Sequence, residues 1–136
     1  MIRKISGGLA VLFLLLTGSL LTAGSASATA QGCTFAPGGY ICNTTQGSGG
    51  RVDQVVAIRG RSIATGMICN YSADVSVQDP YGRPVWFGHK SHIGCYPYRA
   101  TLTFPVHRTF PCGYVTSVAW YESGVQQGGY ANVNLC

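Results

Sequence analysis

Short segments of alternating apolar and polar residues, separated by glycine- and proline-rich turns, predict an all-β fold. We expect a small disulfide-stabilised β-sandwich, immunoglobulin-like in character, of about seven short strands, with a compact β-barrel as the alternative. Three observations carry this prediction: the two-residue period, the lack of a helical period beyond residue 30, and six cysteines in 136 residues.

The clearest element is a hairpin over residues 73–87. Its first strand alternates apolar with polar side chains, the pattern of a strand with one buried face. Residues 79–82, Asp-Pro-Tyr-Gly, fit a type I turn position by position, and Val-Trp-Phe begins the returning strand. The side chains expected in the core are Val75, Val77 and either Trp86 or Phe87.

Other strands are predicted where the same pattern recurs, over residues 40–42, 51–59, 67–71, 99–104, 114–121 and 131–135. In the strand 51–59, Val52, Val56 and Ile58 share one face, and Asp53 and Arg59 lie on the other. The run 114–121 is apolar on both sides, which favours a central strand. The polar segment 88–97 and the proline-bounded segment 105–111 are predicted to be loops.

Residues 1–30 have the composition of a cleaved secretory signal peptide, and residues 31–136 form one domain. Arg3 and Lys4 precede the apolar stretch 9–16, and alanines at positions 28 and 30 fit a cleavage site. We therefore expect a secreted, extracellular protein with no membrane association after cleavage.

The six cysteines predict three disulfides, because an even number in a small exported chain forms a covalent framework. About fifteen pairings are open, and the sequence does not choose among them. The cysteines are Cys33, Cys42, Cys69, Cys95, Cys112 and Cys136.

Charge and motifs argue against several functions. The formal charge of +5 is spread along the chain rather than clustered, so no nucleic-acid partner is expected. The pattern H-x-x-H-x-x-C over residues 89–95 has metal-ligand spacing, but an exported cysteine is expected to be oxidised, so we predict no metal and no cofactor.

Nucleophile motifs and phosphate-binding loops are missing from the sequence, and we expect no enzyme. A small secreted nuclease or other hydrolase is the third alternative, in which Glu122, His107 and Arg108 could act around a phosphate.

Exposed tyrosine combined with arginine is typical of protein contact surfaces. Arg108 lies in the proline-bounded segment and could anchor a secreted protease inhibitor, which is the second alternative. The predicted binding residues are Tyr81, Arg83, Tyr96, Tyr98 and Arg108.

The span from Cys33 to Cys136, the two Ile-Cys-Asn segments and the VQDPYGRPVWF hairpin resemble small, disulfide-rich β-proteins exported by actinobacteria. One such family comprises secreted hydrolase inhibitors. The other is the adaptor subunit of the umbrella-shaped antibacterial toxin particles of Streptomyces. The second resemblance implies a protein-binding adaptor that links components of an extracellular toxin complex, with other secreted proteins as its partners.

Overall fold

The computed structural model describes residues 28–64 and 66–136. Within these ranges the chain forms nine β-strands and no helix, so none of its elements is a helix that could span a membrane. The strands are β1 (Ala28–Ala36), β2 (Gly39–Ser48), β3 (Arg51–Arg61), β4 (Met67–Gln78), β5 (Pro84–Pro97), β6 (Arg99–Thr109), β7 (Val115–Glu122), β8 (Val125–Gln126) and β9 (Ala131–Asn134).

Two antiparallel sheets pack face to face, which confirms the predicted β-sandwich. The first sheet has the order β1-β2-β3-β6. The second has the order β5-β4-β7, and both β8 and β9 pair with the far edge of β7. The run 114–121 is therefore central, as predicted. The core between the sheets is built on Trp120, Ile41, Ile68, Val75 and Val118, all completely buried.

The predicted hairpin is confirmed at its turn and in its first strand. Val75 and Val77 are completely buried, and Trp86 packs against the core from the returning strand. Phe87 is 62% exposed and faces solvent. The Gly82 amide donates to the Asp79 carbonyl at 3.0 Å, which closes the type I turn, and Gly82 follows with φ +80°.

Both predicted loops, 88–97 and 105–111, are wrong in the same way. Residues 88–97 continue β5, and residues 105–109 continue β6. Both are edge strands, paired on one side only, to β4 and β3 respectively. An edge strand tolerates proline and polar side chains because one of its margins faces solvent, so the sequence pattern there resembles a loop.

The faces predicted for residues 51–59 are also wrong. The pairing of β3 shifts register between Val52 and Gln54, and beyond this bulge Val55, Ala57 and Arg59 are completely buried, while Val56 is half-buried and Ile58 is 6% exposed. A slip of one residue exchanges the two faces of a strand. Arg59, predicted to face outward, is completely buried.

The three disulfides are Cys33–Cys42, Cys69–Cys95 and Cys112–Cys136, and no cysteine is free. The first joins the paired strands β1 and β2, and the second joins β4 and β5, in both cases between directly opposed residues. The third ties Cys112 of the β6–β7 turn to Cys136, two residues beyond the end of β9. No disulfide therefore links a strand of one sheet to a strand of the other.

Buried polar groups connect the two sheets instead. The Asn43 amide of β2 donates to the Thr116 carbonyl of β7 at 3.0 Å and to the Ala131 carbonyl of β9 at 3.1 Å. Thr45 donates to Asn43 Oδ1 at 2.8 Å and lies 2.7 Å from Thr116 Oγ1. Such a network favours one packing of the sheets over others, since any displacement would leave buried groups unpaired.

The predicted signal peptide lies almost entirely outside the described residues. Only residues 28–30 of that segment are described, and they form the first three pairs of β1 with β2.

Candidate functional site

The predicted binding residues lie at opposite ends of the sandwich. Tyr81 and Arg83 are in the β4–β5 turn, and Arg108 is near the end of β6. These elements share one end, because a Cβ built on Gly113, in the β6–β7 turn, would lie 3.9 Å from Pro80 Cγ. We name this the Pro80 end. Tyr96 is near the end of β5 and Tyr98 connects β5 to β6, at the other end of the sandwich, which we name the Tyr98 end.

At the Pro80 end, hydrogen bonds to the Asp79 carboxylate restrict the conformation of the turn. Asp79 Oδ1 accepts hydrogen bonds from the amides of Tyr81 and Arg83, both at 2.9 Å, and Oδ2 accepts from Arg83 Nε at 2.8 Å. The Arg83 amide, and after it the Arg83 side chain and the Tyr81 amide, lower the pKa of Asp79 below its usual value. Arg83 lies 5.4 Å from the centroid of Tyr81, whose side chain is 84% exposed.

Arg108 occupies a strand rather than a proline-stiffened loop. It pairs with Val52 in the ladder between β6 and β3, and its guanidinium lies 5.4 Å from the centroid of Phe110. Arg108 was predicted as an anchor because it was expected in a loop stiffened by prolines, and its position in β6 removes that reason.

At the Tyr98 end an aromatic column runs from the core to the surface. The buried rings of Trp120 and Tyr71 stack with centroids 5.1 Å apart, and His92 stacks on Tyr71 at 5.0 Å. Tyr96 continues the column at 5.3 Å from His92. Together with Leu102 and Arg99 of β6, the outer rings line a cleft of about 250 Å³ at the open margin between β5 and β6.

Large apolar side chains are exposed on the segments around this cleft. We call them the Tyr98 surface; its members and their exposed fractions are Ile63 83%, Met67 52%, Ile93 90%, Tyr96 49% and Tyr98 47%. The backbone beneath is fixed, because the Tyr98 amide donates to the Gly66 carbonyl at 2.6 Å and the Arg61 amide donates to the Tyr98 carbonyl at 2.8 Å. Tyr98 has a φ of +62°, a left-handed conformation that these two hydrogen bonds maintain.

A buried ion cluster lies at the same end. Arg59 Nε donates to Glu122 Oε2 at 3.2 Å, and Arg61 Nη2 donates to Glu122 Oε1 at 2.9 Å. The remaining Arg59 nitrogens donate to the carbonyls of Gly60 at 2.9 Å and Pro37 at 2.5 Å. Burial lowers the pKa of Arg59, and the hydrogen bond with Glu122 acts in the opposite direction.

This cluster bears on the residues considered for a nuclease. Glu122 is engaged by two arginines at the Tyr98 end, whereas His107 and Arg108 lie toward the Pro80 end of β6. The structure does not bring the three together. A phosphate site would need them around one point.

The histidine pattern over residues 89–95 is likewise dispersed. His89 Nδ1 lies 2.5 Å from Asp74 Oδ1, His92 faces the aromatic column, and Cys95 is in a disulfide. Among the described residues, no group of three or more histidine, cysteine or acidic side chains could hold a metal ion.

No sequence pattern indicated the aromatic column or the buried ion cluster. Tyr71 and His92 are 21 positions apart in the sequence. They lie side by side because they are directly paired across β4 and β5. A search against known protein families, characterised proteins and solved structures finds no match to this chain.

Proposed function

We propose that this chain is a secreted, non-enzymatic protein-binding module whose main contact area is the Tyr98 surface. The observation that carries the proposal is the set of exposed apolar and tyrosine side chains held on a hydrogen-bonded, disulfide-linked framework. Burial of such side chains is the chief source of affinity between proteins, and a framework that is already ordered loses little entropy on docking.

The proposal extends to an adaptor that links components of an extracellular antibacterial toxin complex. Two separate contact areas support this, since an exposed tyrosine accompanied by arginine occurs at each end: Tyr81 with Arg83, and Tyr98 with Arg99. β5 runs between these ends over 14 residues, about 45 Å at the usual rise per residue. Two partners at that separation could bind without colliding. The composition of residues 1–30 and the three disulfides support export to an oxidising compartment.

Affinity purification of the tagged chain from culture supernatant of the source organism, followed by mass spectrometry, tests the proposal. We expect at least one secreted protein to be recovered with the wild type and lost with the double variant Tyr96→Ala/Tyr98→Ser. The variant Tyr81→Ala/Arg83→Ala is the matched control from the other end. It should retain that partner, and under the adaptor proposal it should lose a different one.

Two results would count against these proposals. Recovery of the wild type alone, as a monomer, would refute a protein-binding module. Loss of the same partner with both double variants, without loss of folding, would refute two separate contact areas and hence the adaptor.

A further inference from the structure

The outward face of the second sheet carries a trough that belongs to neither end of the sandwich. Its volume is about 240 Å³. The floor consists of short side chains on the two central strands, Ser76 of β4 with Ser117 and Ala119 of β7. Aromatic rings border this floor: Phe87 on β5, directly paired with Ser76, forms one side, Tyr130, just before β9, forms the other, and Tyr121 continues the row of Ser117 and Ala119 on β7.

Two of these rings are exposed far more than packing requires. Phe87 is 62% and Tyr130 is 58% exposed, although both adjoin a sheet whose other face is a well-filled core. On the solvent face of an antiparallel sheet, polar residues are the usual occupants. Exposed rings on both sides of a floor of small residues offer flat surfaces to a ligand lying between them.

A polar group lies beside these rings. Asp74 is adjacent to Ala119 in the ladder, and its Oδ1 lies 2.5 Å from His89 Nδ1, so Oδ2 can accept hydrogen bonds from a ligand. The Ser76 hydroxyl accepts from Gln78 Nε2 at 3.2 Å, which leaves its proton to donate. Asp74, Tyr121 and Tyr130 line the trough together; burial raises the pKa of Tyr121, and the Asp74 carboxylate and Tyr130 raise it further.

The charges and the backbone restrict what the trough could bind. The chain has a net charge of +5, yet Asp74 is the one ionised residue that lines the trough, within the part of the chain the structure describes. An anionic ligand would therefore meet a carboxylate and no lysine or arginine. An extended peptide lying on this floor would find no backbone partners there, because β4 and β7 each pair with a strand on either side; the edge strand β5, at the side of the trough, is paired on one side only.

We propose that this trough binds a short, neutral, pyranose oligosaccharide. The C–H faces of the sugar rings would lie against Phe87 and Tyr130, since aromatic faces are electron-rich and attract polarised C–H groups. Sugar hydroxyls would donate to Asp74 and accept from Ser76 or Ser117. The floor from Asp74 to Gln78 is about 13 Å long at the usual rise of a strand, which suits a di- or trisaccharide.

The test is a titration of the isotope-labelled oxidised protein, followed by NMR, with trisaccharides: cellotriose, laminaritriose, maltotriose and N,N′,N″-triacetylchitotriose. We expect at least one to bind with Kd of about 1 mM or tighter and to shift the amide signals of Ser76, Phe87 and Ser117. Phe87→Ala and Tyr130→Ala should each weaken binding about tenfold, as loss of one aromatic contact implies. Because both side chains are largely exposed, these variants should keep the wild-type unfolding temperature.

Tyr81→Ala is the matched control, since it removes an even more exposed ring, at the Pro80 end. It should bind the sugar as the wild type does, and so should Tyr96→Ala/Tyr98→Ser. Absence of binding by all four sugars at 10 mM, about ten times the expected Kd, would overturn the proposal. So would shifts that map outside the trough, or equal weakening by Tyr81→Ala. Failure here would leave the protein-binding proposal intact, because that proposal rests on other residues.

Discussion

Replacement of Glu122 by glutamine tests the ion cluster between the sheets. The change keeps the shape of the side chain and removes the charge that faces Arg59 and Arg61. The Arg59 side chain is completely buried and that of Glu122 is 9% exposed, so water cannot solvate the guanidinium left behind. Carbonyl groups of Gly60 and Pro37 would remain as partners, but they carry no net charge.

The expected loss of stability follows from this geometry. Removal of one partner from a buried ion pair costs about 3–5 kcal/mol, and we expect about 3 because the backbone carbonyls remain. Small domains have a total unfolding free energy of about 5–15 kcal/mol, so this loss is a large part of it. Because the unfolding free energy of a small protein falls by about 1–3 kcal/mol per M urea, Glu122→Gln should lower the urea midpoint by roughly 1–3 M. Fluorescence of Trp120, which is buried in the core, reports the unfolding.

Asp53→Asn provides the control. Asp53 pairs with Arg51 at 2.8 Å, but the two side chains are 45% and 50% exposed, and a solvated pair contributes less than about 1 kcal/mol. If Glu122→Gln destabilises the protein no more than Asp53→Asn does, the reasoning about burial is wrong.

Three further predictions concern stability. Asn43→Ala should cost about 2–4 kcal/mol in urea unfolding because it removes buried hydrogen bonds to the Thr116 and Ala131 carbonyls and one from the Thr45 hydroxyl. Loss of the exposed Gln31–Thr44 bond in Gln31→Ala should have almost no effect. The pKa of Asp79 is lower in the folded than in the unfolded protein, so its stabilising contribution is complete above the unfolded value of about 4 and is lost as the pH falls through the folded value. Unfolding measured from pH 6 to about pH 2 should therefore show a smaller acid-induced loss in Asp79→Asn; an unchanged pH profile would contradict this. A disulfide stabilises more when it closes a longer loop in the unfolded chain. Replacement of Cys69 and Cys95, 26 positions apart, by alanine should therefore cost about 3.5 kcal/mol, and replacement of Cys33 and Cys42, 9 apart, about 2.7 kcal/mol. The reverse order of these losses in calorimetry would refute the loop-entropy reasoning.

The sequence predicted the parts of this fold that local rules govern. The alternation around Val75 and the Asp-Pro-Tyr-Gly turn depend only on neighbouring residues, and both are confirmed. The errors arise where long-range pairing decides the structure. The burial of Arg59 follows from a bulge opposite another strand, and residues 105–109 become a strand because β3 offers an edge for pairing.

The candidate sites were predictable to a smaller extent. Tyr81 is exposed because it occupies a turn, which the sequence indicates. The division of the five binding residues between two ends depends on which strands share a sheet. The trough depends on the order β5-β4-β7, which places Phe87 on one side of Ser76 and Ser117 on the other. No local pattern encodes that order.

The positions of the disulfides determine how the chain would respond to tension between its two ends. Force would pass through the cystine bridges and bypass the residues within the closed loops 33–42, 69–95 and 112–136. Beyond Cys33, the extensible segments are then 43–68 and 96–111, which contain β3, β6 and most of β2. All residues that line the trough lie inside the second and third loops. In a molecule held at both ends, the first sheet could therefore extend while the backbone inside the second and third loops, which carries the trough, bears no load.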